Sequence, residues 1–154
     1  MPIDLNAVPP QTGTNYPEPF KAVVSGRVRR RVGDAAGLTN FGVNWVTLAP
    51  GSASALRHWH TTQDEFIYVV SGTLMLVTDD GETVLMPGMM AGFPAGVANG
   101  HHLVNRSDQP AVYLEVGDRA PNDQVYYPDV DLQGSHTATG WQFTHRDGRP
   151  YGAP

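Results

Sequence analysis

The sequence predicts an all-β fold, a sandwich or barrel of short strands, on the basis of two observations. The chain of 154 residues contains 17 glycines and 13 prolines, too many for a helical protein and suited to a fold with many turns. Between these turn residues lie short apolar segments rich in β-branched and aromatic residues, at 41–48, 65–70, 73–78 and 111–116. Strands this short and this evenly spaced are typical of a sandwich or barrel.

Composition divides the chain into three parts. Residues 1–20 are rich in proline and show little periodicity, so we expect an extended N-terminal arm. Residues 21–118 carry the strand pattern and form the predicted barrel. Residues 119–154 are polar, with turn residues and aromatic clusters, and we expect a C-terminal arm that wraps over the barrel or onto a partner. A chain of this length is the size of one domain with a single core.

Charge and cysteine content exclude several classes of function. Ten basic and fifteen acidic side chains give a formal charge of −5, which makes nucleic acids and anionic membranes poor partners. The absence of cysteine excludes disulfides, thiolate metal sites and a cysteine nucleophile. The N-terminus does not resemble a signal peptide, and no segment approaches the roughly 20 apolar residues of a membrane helix. We therefore expect a cytoplasmic protein that contacts neither nucleic acid nor membrane.

One strand indicates a partner subunit. Residues 65–70 are apolar on both faces of the predicted strand instead of alternating with polar residues. One face fills the barrel, so the other has to be covered by an arm or by a second subunit. Because obligate interfaces are apolar in the same way as a protein core, we expect a homodimer.

The candidate site begins with two histidines and a glutamate. Residues two apart in a strand share a face, so His58 and His60 point side by side while Trp59 points away. Four residues separate His60 from Glu65, enough for a reversal that turns Glu65 toward both imidazoles across a hairpin. Two imidazole nitrogens and a carboxylate oxygen are suitable ligands for a divalent metal ion.

Two stretches of the sequence resemble the cupin superfamily. The family's first motif reads Gly, about five residues, His-x-His, three or four residues, Glu, six residues, Gly. It is fitted by Gly51, His58, His60, Glu65 and Gly72, with six residues after the first glycine. The second motif reads Gly, five residues, Pro-x-Gly, two residues, His, three residues, Asn. It is fitted by Gly88, Pro94, Gly96, His101 and Asn105.

The second motif departs from the family pattern at its histidine. Four residues instead of two separate Gly96 from His101. Strict spacing places Asn99 at the ligand position, but the three residues between the histidine and the following asparagine favour His101. His102 is the alternative.

The resemblance covers about residues 40–118 and implies a single jelly-roll barrel of the cupin type. It also implies one divalent transition metal held by three histidines and a glutamate, which here are His58, His60, Glu65 and His101. These ligand types suit iron, manganese, nickel, cobalt and zinc alike. The chain is also similar to stand-alone bacterial cupins that are labelled candidate sugar-phosphate isomerases.

The predicted ligand set leaves coordination positions open, as a catalytic metal does. We therefore predict a metal-dependent enzyme, a dioxygenase, isomerase or lyase that acts on a small oxygenated organic molecule. The alternative is a non-catalytic sensor or binding module whose metal anchors a small ligand, although the sequence offers no helix-turn-helix as an output. No general base is identified, and Tyr68 and Tyr113 are the conceivable proton donors.

The sequence pattern disfavours a phosphate-bearing substrate. Arg57 and Arg106 are predicted on strand faces opposite the site, and the basic run at 27–31 is typical of a solvated edge strand or a subunit salt-bridge face. A phosphate in the pocket calls for a fixed cation beside it. The predicted pocket is instead mostly apolar, with Phe93, Val112 and Leu114 beside the metal.

Overall fold

The protein is built from antiparallel strands with a few short helical segments. The computed structural model describes residues 1–151, so the end of the predicted C-terminal arm, 152–154, lies outside the described residues. The strands are β1 (Arg27–Arg30), β2 (Phe41–Leu48), β3 (Trp59–His60), β4 (Glu65–Ser71), β5 (Leu74–Thr78), β6 (Gly81–Leu85), β7 (Met90–Phe93), β8 (His102–Val104), β9 (Ala111–Asp118), β10 (Gln124–Tyr127), β11 (Leu132–Thr137) and β12 (Gly140–Thr144). The helical segments are 3-10 helices at Leu5–Ala7 and Glu18–Val24 and the helix α1 at Val32–Ala35. The prediction of an all-β fold is confirmed. Among the described residues, no helix has the length and apolar character needed to cross a membrane.

The strands form two facing layers. The first layer is a five-stranded sheet in the order β1-β2-β9-β4-β7. The second layer combines a three-stranded sheet, β6-β5-β8, with a four-stranded sheet, β12-β11-β10-β3. An isolated antiparallel bridge joins these two sheets, since the backbones of His58 and His101 exchange hydrogen bonds of 3.1 and 2.8 Å. Both histidines therefore lie at the seam in the middle of the second layer.

The main core lies between the five-stranded sheet and the three-stranded sheet. Its members come from alternate positions of six strands and are Val46, Leu48, Ile67, Val69, Leu74, Leu85, Leu103, Ala111 and Tyr113. Because side chains alternate across a strand, the face of β4 that contributes Ile67 and Val69 to this core also presents Glu65 to the interior. Glu65 is the first residue of β4 and lies beside the apolar core, two residues before Ile67.

Two residues of the cupin-like motifs fix turns. Asn105 is fully buried, and its amide donates to the carbonyl oxygens of Leu48 at 2.9 Å and Gln109 at 2.8 Å. Gly72 has a φ of 76°, and a Cβ atom at this position would lie 2.7 Å from Ala111 Cα. A larger residue at Gly72 would therefore meet both backbone strain and a steric clash.

The C-terminal strands extend the layer that carries the histidines. β10 pairs with β3 through Val125 opposite His60 and Tyr126 opposite Trp59. A second core joins these strands to the N-terminal segment, and its buried members are Tyr16, Val24, Val125, Tyr127 and Leu132. The sequence boundaries of arm and barrel, at 20/21 and 118/119, stay predictions.

Candidate metal centre

His58 and His60 present their Nε2 atoms to the interior. The Nδ1 atom of His58 lies 2.7 Å from the carbonyl oxygen of Leu56. The Nδ1 atom of His60 lies 2.5 Å from Oδ2 of Asp123. Both partners are acceptors, so each Nδ1 carries a hydrogen, and Nε2 is the ring atom of each histidine that would offer its lone pair to a metal. Trp59 points the other way and stacks on Tyr126, with ring centroids 4.9 Å apart.

Glu65 is the point on which the histidines converge. Its Oε2 atom lies 3.6 Å from Nε2 of His58, 3.6 Å from Nε2 of His60 and 2.8 Å from Nε2 of His101. Burial alone would raise the pKa of Glu65, but the contacts with His101 and His58 hold this pKa well below its usual range. The side chain is therefore a carboxylate at neutral pH. Gly117 faces Glu65 across β9, so no side chain crowds the carboxylate from that strand.

His101 reaches the same carboxylate from the other side of the seam. Its ring stacks on Phe93 with a centroid separation of 3.6 Å and an interplanar angle of 1°. Phe93 is itself the cross-strand partner of Glu65. Burial lowers the pKa of His101, and the nearby Glu65 carboxylate only partly offsets this effect. The imidazole is therefore neutral at pH 7 and held in a fixed plane.

The two alternatives to His101 point elsewhere. His102 directs Nδ1 to the carbonyl oxygen of Ala55 at 3.0 Å. Asn99 is half-buried, and its Oδ1 atom accepts a hydrogen bond of 2.8 Å from the backbone of Asp79. The structure thus brings the His101 imidazole to Glu65, whereas the side chains of His102 and Asn99 bond to the backbones of Ala55 and Asp79.

Asp123 is a site residue that the sequence analysis missed. It is fully buried, and its Oδ1 atom accepts from the backbone and hydroxyl of Thr62 at 2.8 and 3.1 Å and from the hydroxyl of Thr61 at 3.2 Å. Burial alone would raise the pKa of Asp123, but the hydrogen bonds with His60 and Thr62 lower it. The carboxylate is therefore a fixed acceptor that orients His60. No local pattern marks this residue, which is 63 positions from His60.

Comparison with known proteins identifies the fold family. The cupin domain family matches residues 44–117 of this chain. A solved structure described as a sugar phosphate isomerase from a cupin superfamily, from Silicibacter pomeroyi, is 47% identical with a TM-score of 0.96. That match covers 99% of this chain and 98% of the other. The chain belongs to the cupin superfamily. The resemblance noted in the sequence and the predicted cupin fold are confirmed.

Two further relatives differ in their described roles. A candidate sugar phosphate isomerase from Acidithiobacillus ferrooxidans is 30% identical with a TM-score of 0.73, covering 79% of this chain and 77% of that one. Tetracenomycin polyketide synthase protein TcmJ from Streptomyces glaucescens is 30% identical over 100 residues, 63% of this chain. The match spans 64% of that polyketide synthase protein, which is less than two thirds of its length.

The geometry of this cupin site fits a transition metal. His58, His60 and Glu65 offer ligand atoms that all lie within 4.8 Å of one another. Metal–ligand bonds of about 2.0 to 2.2 Å place neighbouring ligand atoms roughly 3 to 3.5 Å apart. The contacts of 3.6 and 2.8 Å around Oε2 are close to that separation, and Nε2 of both His58 and His60 is directed at this oxygen. The donors are imidazole and carboxylate, which suits a divalent ion but does not select the element.

A cavity of about 870 Å³ opens onto this group. Its size is within the range of small-molecule sites. Besides the histidines and Glu65, its lining includes Tyr113, Glu115, Arg27 and Arg29. The cavity is thus both polar and charged.

This lining corrects the prediction of an apolar pocket. Phe93 does lie at the site, but Leu114 is paired with Tyr68, whose exposed side chain is on the outer face of the sheet. Val112 shares the outer parity of Leu114, while Tyr113 and Glu115 face inward. The assignment of Val112 and Leu114 to the pocket was wrong by one residue of strand register, which exchanges the two faces.

The prediction of a solvated basic run is also wrong for part of β1. Arg27 is only 8% exposed and lines the cavity together with Arg29. Arg57 and Arg106 do lie away from the site, as predicted. Arg57 pairs with Asp79 and Asp129, and Arg106 pairs with Glu82 on the surface. The cations that face the cavity therefore come from a strand outside both motifs.

Proposed function

We propose that this cupin is a metal-dependent enzyme acting on a small oxygenated organic molecule, of the dioxygenase, isomerase or lyase type. Its metal would be one divalent transition ion held by His58, His60, Glu65 and His101. The observation that carries the proposal is the convergence of the three imidazoles on Oε2 of Glu65, at 3.6, 3.6 and 2.8 Å, beside a cavity of about 870 Å³. When bound, such a metal supplies Lewis-acid polarisation of a substrate oxygen, and redox chemistry with dioxygen if it is iron.

The residues around this group have separate tasks. Asp123 and Leu56 fix the hydrogen on Nδ1 of His60 and His58, so both rings keep the same orientation through a reaction cycle. The stacked ring of Phe93 immobilises His101 and shields one of its faces from water. A site built on strands in this way is rigid before any substrate arrives.

Tyr113 and Glu115 are the proton-carrying side chains that we propose for the reaction. They face the cavity two positions apart on β9, with the Tyr113 hydroxyl 3.5 Å from Oε2 of Glu115. Burial, together with the charge of Glu115, raises the pKa of Tyr113 well above its ordinary value. Tyr113 is therefore a phenol at neutral pH and donates a hydrogen bond. Glu115 is the group that accepts a proton. Tyr68 lies on the exposed outer face and is excluded from this role.

The described roles of the relatives support a small, oxygen-rich substrate. One relative is described as a sugar phosphate isomerase and another as a polyketide synthase protein. Sugars carry oxygen atoms on neighbouring carbons and polyketides on alternate carbons, and both spacings suit two-point coordination to a Lewis-acidic metal.

We also propose that the protein is a homodimer formed through the outer face of the five-stranded sheet. Phe66 and Tyr68 on β4 are 41% and 37% exposed, and Met90 on the neighbouring β7 is 55% exposed. β7 is the last strand of the sheet within residues 1–151, so its outer backbone groups are available for pairing. A second copy that approaches with the same face would cover this apolar surface with twofold symmetry.

The test begins with elemental analysis of protein purified without an affinity tag, because the identity of the bound metal determines which activity assays are run. Iron would direct the search to oxygen uptake with diketones and phenols, and zinc, manganese, nickel or cobalt to isomerase and lyase screens. We expect the wild type to convert a substrate and His58→Ala to have no activity. Removing the metal from the wild type should abolish its activity, and adding the metal back should restore it. A fully loaded protein that binds such compounds without converting them would contradict the enzyme and favour a binding module.

A further inference from the structure

The inner face of β1 supplies two arginines to the cavity. Arg27 and Arg29 are two positions apart, so they share a face, and both line the cavity. Arg30 lies on the opposite face and donates to the backbone carbonyl of Val8 in the N-terminal segment. The strand therefore divides its arginines between a structural outer face and a charged wall of the cavity.

The two inward arginines differ in their hydrogen bonds. Arg27 donates to the carbonyl oxygens of Ser54 at 2.5 Å and Gly13 at 3.2 Å, which is a structural role. The side chain of Arg29 makes no hydrogen bond to the rest of residues 1–151, and its Nε atom is buried without a partner. A guanidinium group has five N–H donors, and leaving them unpaired away from bulk water is costly. Arg29 thus has donors available on the cavity side.

Glu115, the acidic residue that pairs with Arg29, does not accept a hydrogen bond from its guanidinium group. Oε1 of Glu115 lies 3.9 Å from an Nη atom of Arg29, beyond hydrogen-bond distance. The same oxygen accepts a hydrogen bond of 2.9 Å from the side-chain amide of Asn44. On this wall the guanidinium groups of Arg27 and Arg29 lie beside the carboxylate of Glu115, and the side chain of Arg29 is only 27% exposed.

We propose that Arg29 binds an anionic group, a carboxylate or phosphate, of the substrate. The oxygen atoms of the same substrate approach the candidate metal centre formed by Glu65 and the three histidines. A planar guanidinium with free N–H groups matches either anion in a two-point contact. β1 and β4 are separated by β2 and β9, so Arg29 and Glu65 stand on strands roughly 14 Å apart across the sheet. The substrate therefore spans the cavity, with its charged end at β1. This inference rests on the proposed function for the other end of the substrate.

The test is anion binding by the metal-free protein, where phosphate has no metal to coordinate. Protein stripped with EDTA and dialysed is titrated calorimetrically with inorganic phosphate and, in a second arm, with malonate, at constant ionic strength. We expect wild type to bind at least one of them and Arg29→Gln to bind it about tenfold more weakly or worse, as expected for loss of a charged two-point contact. Preference for phosphate would indicate a phosphate group on the substrate, and preference for malonate would indicate a carboxylate. Arg29→Lys, which keeps the charge but not the planar fork, should be intermediate.

Two further variants make the result specific. Glu115→Gln removes the competing carboxylate and should tighten anion binding severalfold. Arg106→Gln removes the same formal charge from the surface, where Arg106 pairs with Glu82, and should leave binding unchanged. Absence of anion binding in the metal-free wild type, or equal binding by Arg29→Gln, would overturn the inference. If the protein takes up metal normally but binds no anion, the anion site at Arg29 is wrong and the metal centre is not affected. If it binds the anion but takes up no metal, the metal centre is wrong and the anion site is not affected.

Discussion

The Nδ1 atom of His60 and the Oδ2 atom of Asp123 lie 2.5 Å apart, although 63 positions separate the two residues in the chain. Asp123 immediately precedes β10, the strand that pairs with β3, so pairing of the C-terminal strands delivers this carboxylate to the histidine. The segment after the cupin-matched residues is therefore part of the candidate metal centre.

Replacement of Asp123 by asparagine should weaken metal binding about 10- to 100-fold, the usual effect of removing a carboxylate that orients a metal-ligating histidine. The amide keeps the shape but presents a neutral acceptor, or a donor, to Nδ1 of His60. The measurement is a competitive metal titration against a chelating dye. Asp118→Asn is the matched control, because Asp118 accepts only backbone hydrogen bonds from Asp64 and Ala120. Equal affinities in all three proteins would refute a role for Asp123.

The identity of the fourth ligand is tested by three alanine variants. His101→Ala should lower metal occupancy, because it removes the imidazole that lies 2.8 Å from Oε2 of Glu65. His102→Ala and Asn99→Ala should leave occupancy unchanged, since these side chains bond to the backbones of Ala55 and Asp79 and not to Glu65. Occupancy is measured by elemental analysis after reconstitution and gel filtration. Loss of metal in Asn99→Ala with retention in His101→Ala would restore the stricter family spacing.

The ion pair between Arg57 and Asp129 should contribute to the free energy of unfolding by an amount that depends on pH. Hydrogen bonds from Arg57, at 2.8 and 2.6 Å, lower the pKa of Asp129 below its ordinary value. A carboxylate whose pKa is lower in the folded state stabilises the fold above its unfolded pKa of about 3.9, and this contribution disappears as the pH falls through the folded pKa.

Asp129→Asn should therefore be less stable than wild type at pH 7, by up to about 1 kcal/mol for a partly exposed pair. The two proteins should converge in stability below pH 3. Urea unfolding between pH 7 and pH 2.5 measures the difference, with the exposed Asp108→Asn as the control for loss of charge. A difference that stayed constant over this range would contradict the assignment.

The proposed dimer is tested by placing a charge on the outer face of the sheet. Phe66→Glu should shift the protein from dimer to monomer in sedimentation velocity, because an unpaired carboxylate would be buried in an apolar interface. Ile3→Glu, at another exposed apolar residue, is the control and should leave the assembly unchanged. A wild type that sediments as a monomer at all concentrations would contradict the proposal.

The sequence was sufficient for features that depend on local spacing. The alternation of His58, Trp59 and His60 and the short reversal to Glu65 are local, and the structure brings His58, His60 and Glu65 together while Trp59 points away. Features that depend on pairing between distant strands were not predictable in this way. Asp123 reaches His60 only through the pairing of β10 with β3.

Strand parity explains the two errors in the pocket. Deciding between Leu114 and Tyr113 requires the register of β9 against β4, and a shift of one residue exchanges the inner and outer faces. In β1 the run of consecutive arginines hides the alternation, because Arg29 and Arg30 have the same charge and opposite orientations. A polar residue that faces a cavity gives the same sequence pattern as one that faces solvent.

The most direct test of the candidate metal centre is the metal content of wild type and Glu65→Gln after reconstitution with iron, manganese, cobalt, nickel or zinc. The amide has nearly the shape of the carboxylate but removes the negative oxygen on which the three histidines converge. We predict close to one metal ion per chain in wild type and a large loss in Glu65→Gln, with matching far-UV circular dichroism. Full occupancy in Glu65→Gln, or no metal uptake by the folded wild type, would contradict a metal centre at this site.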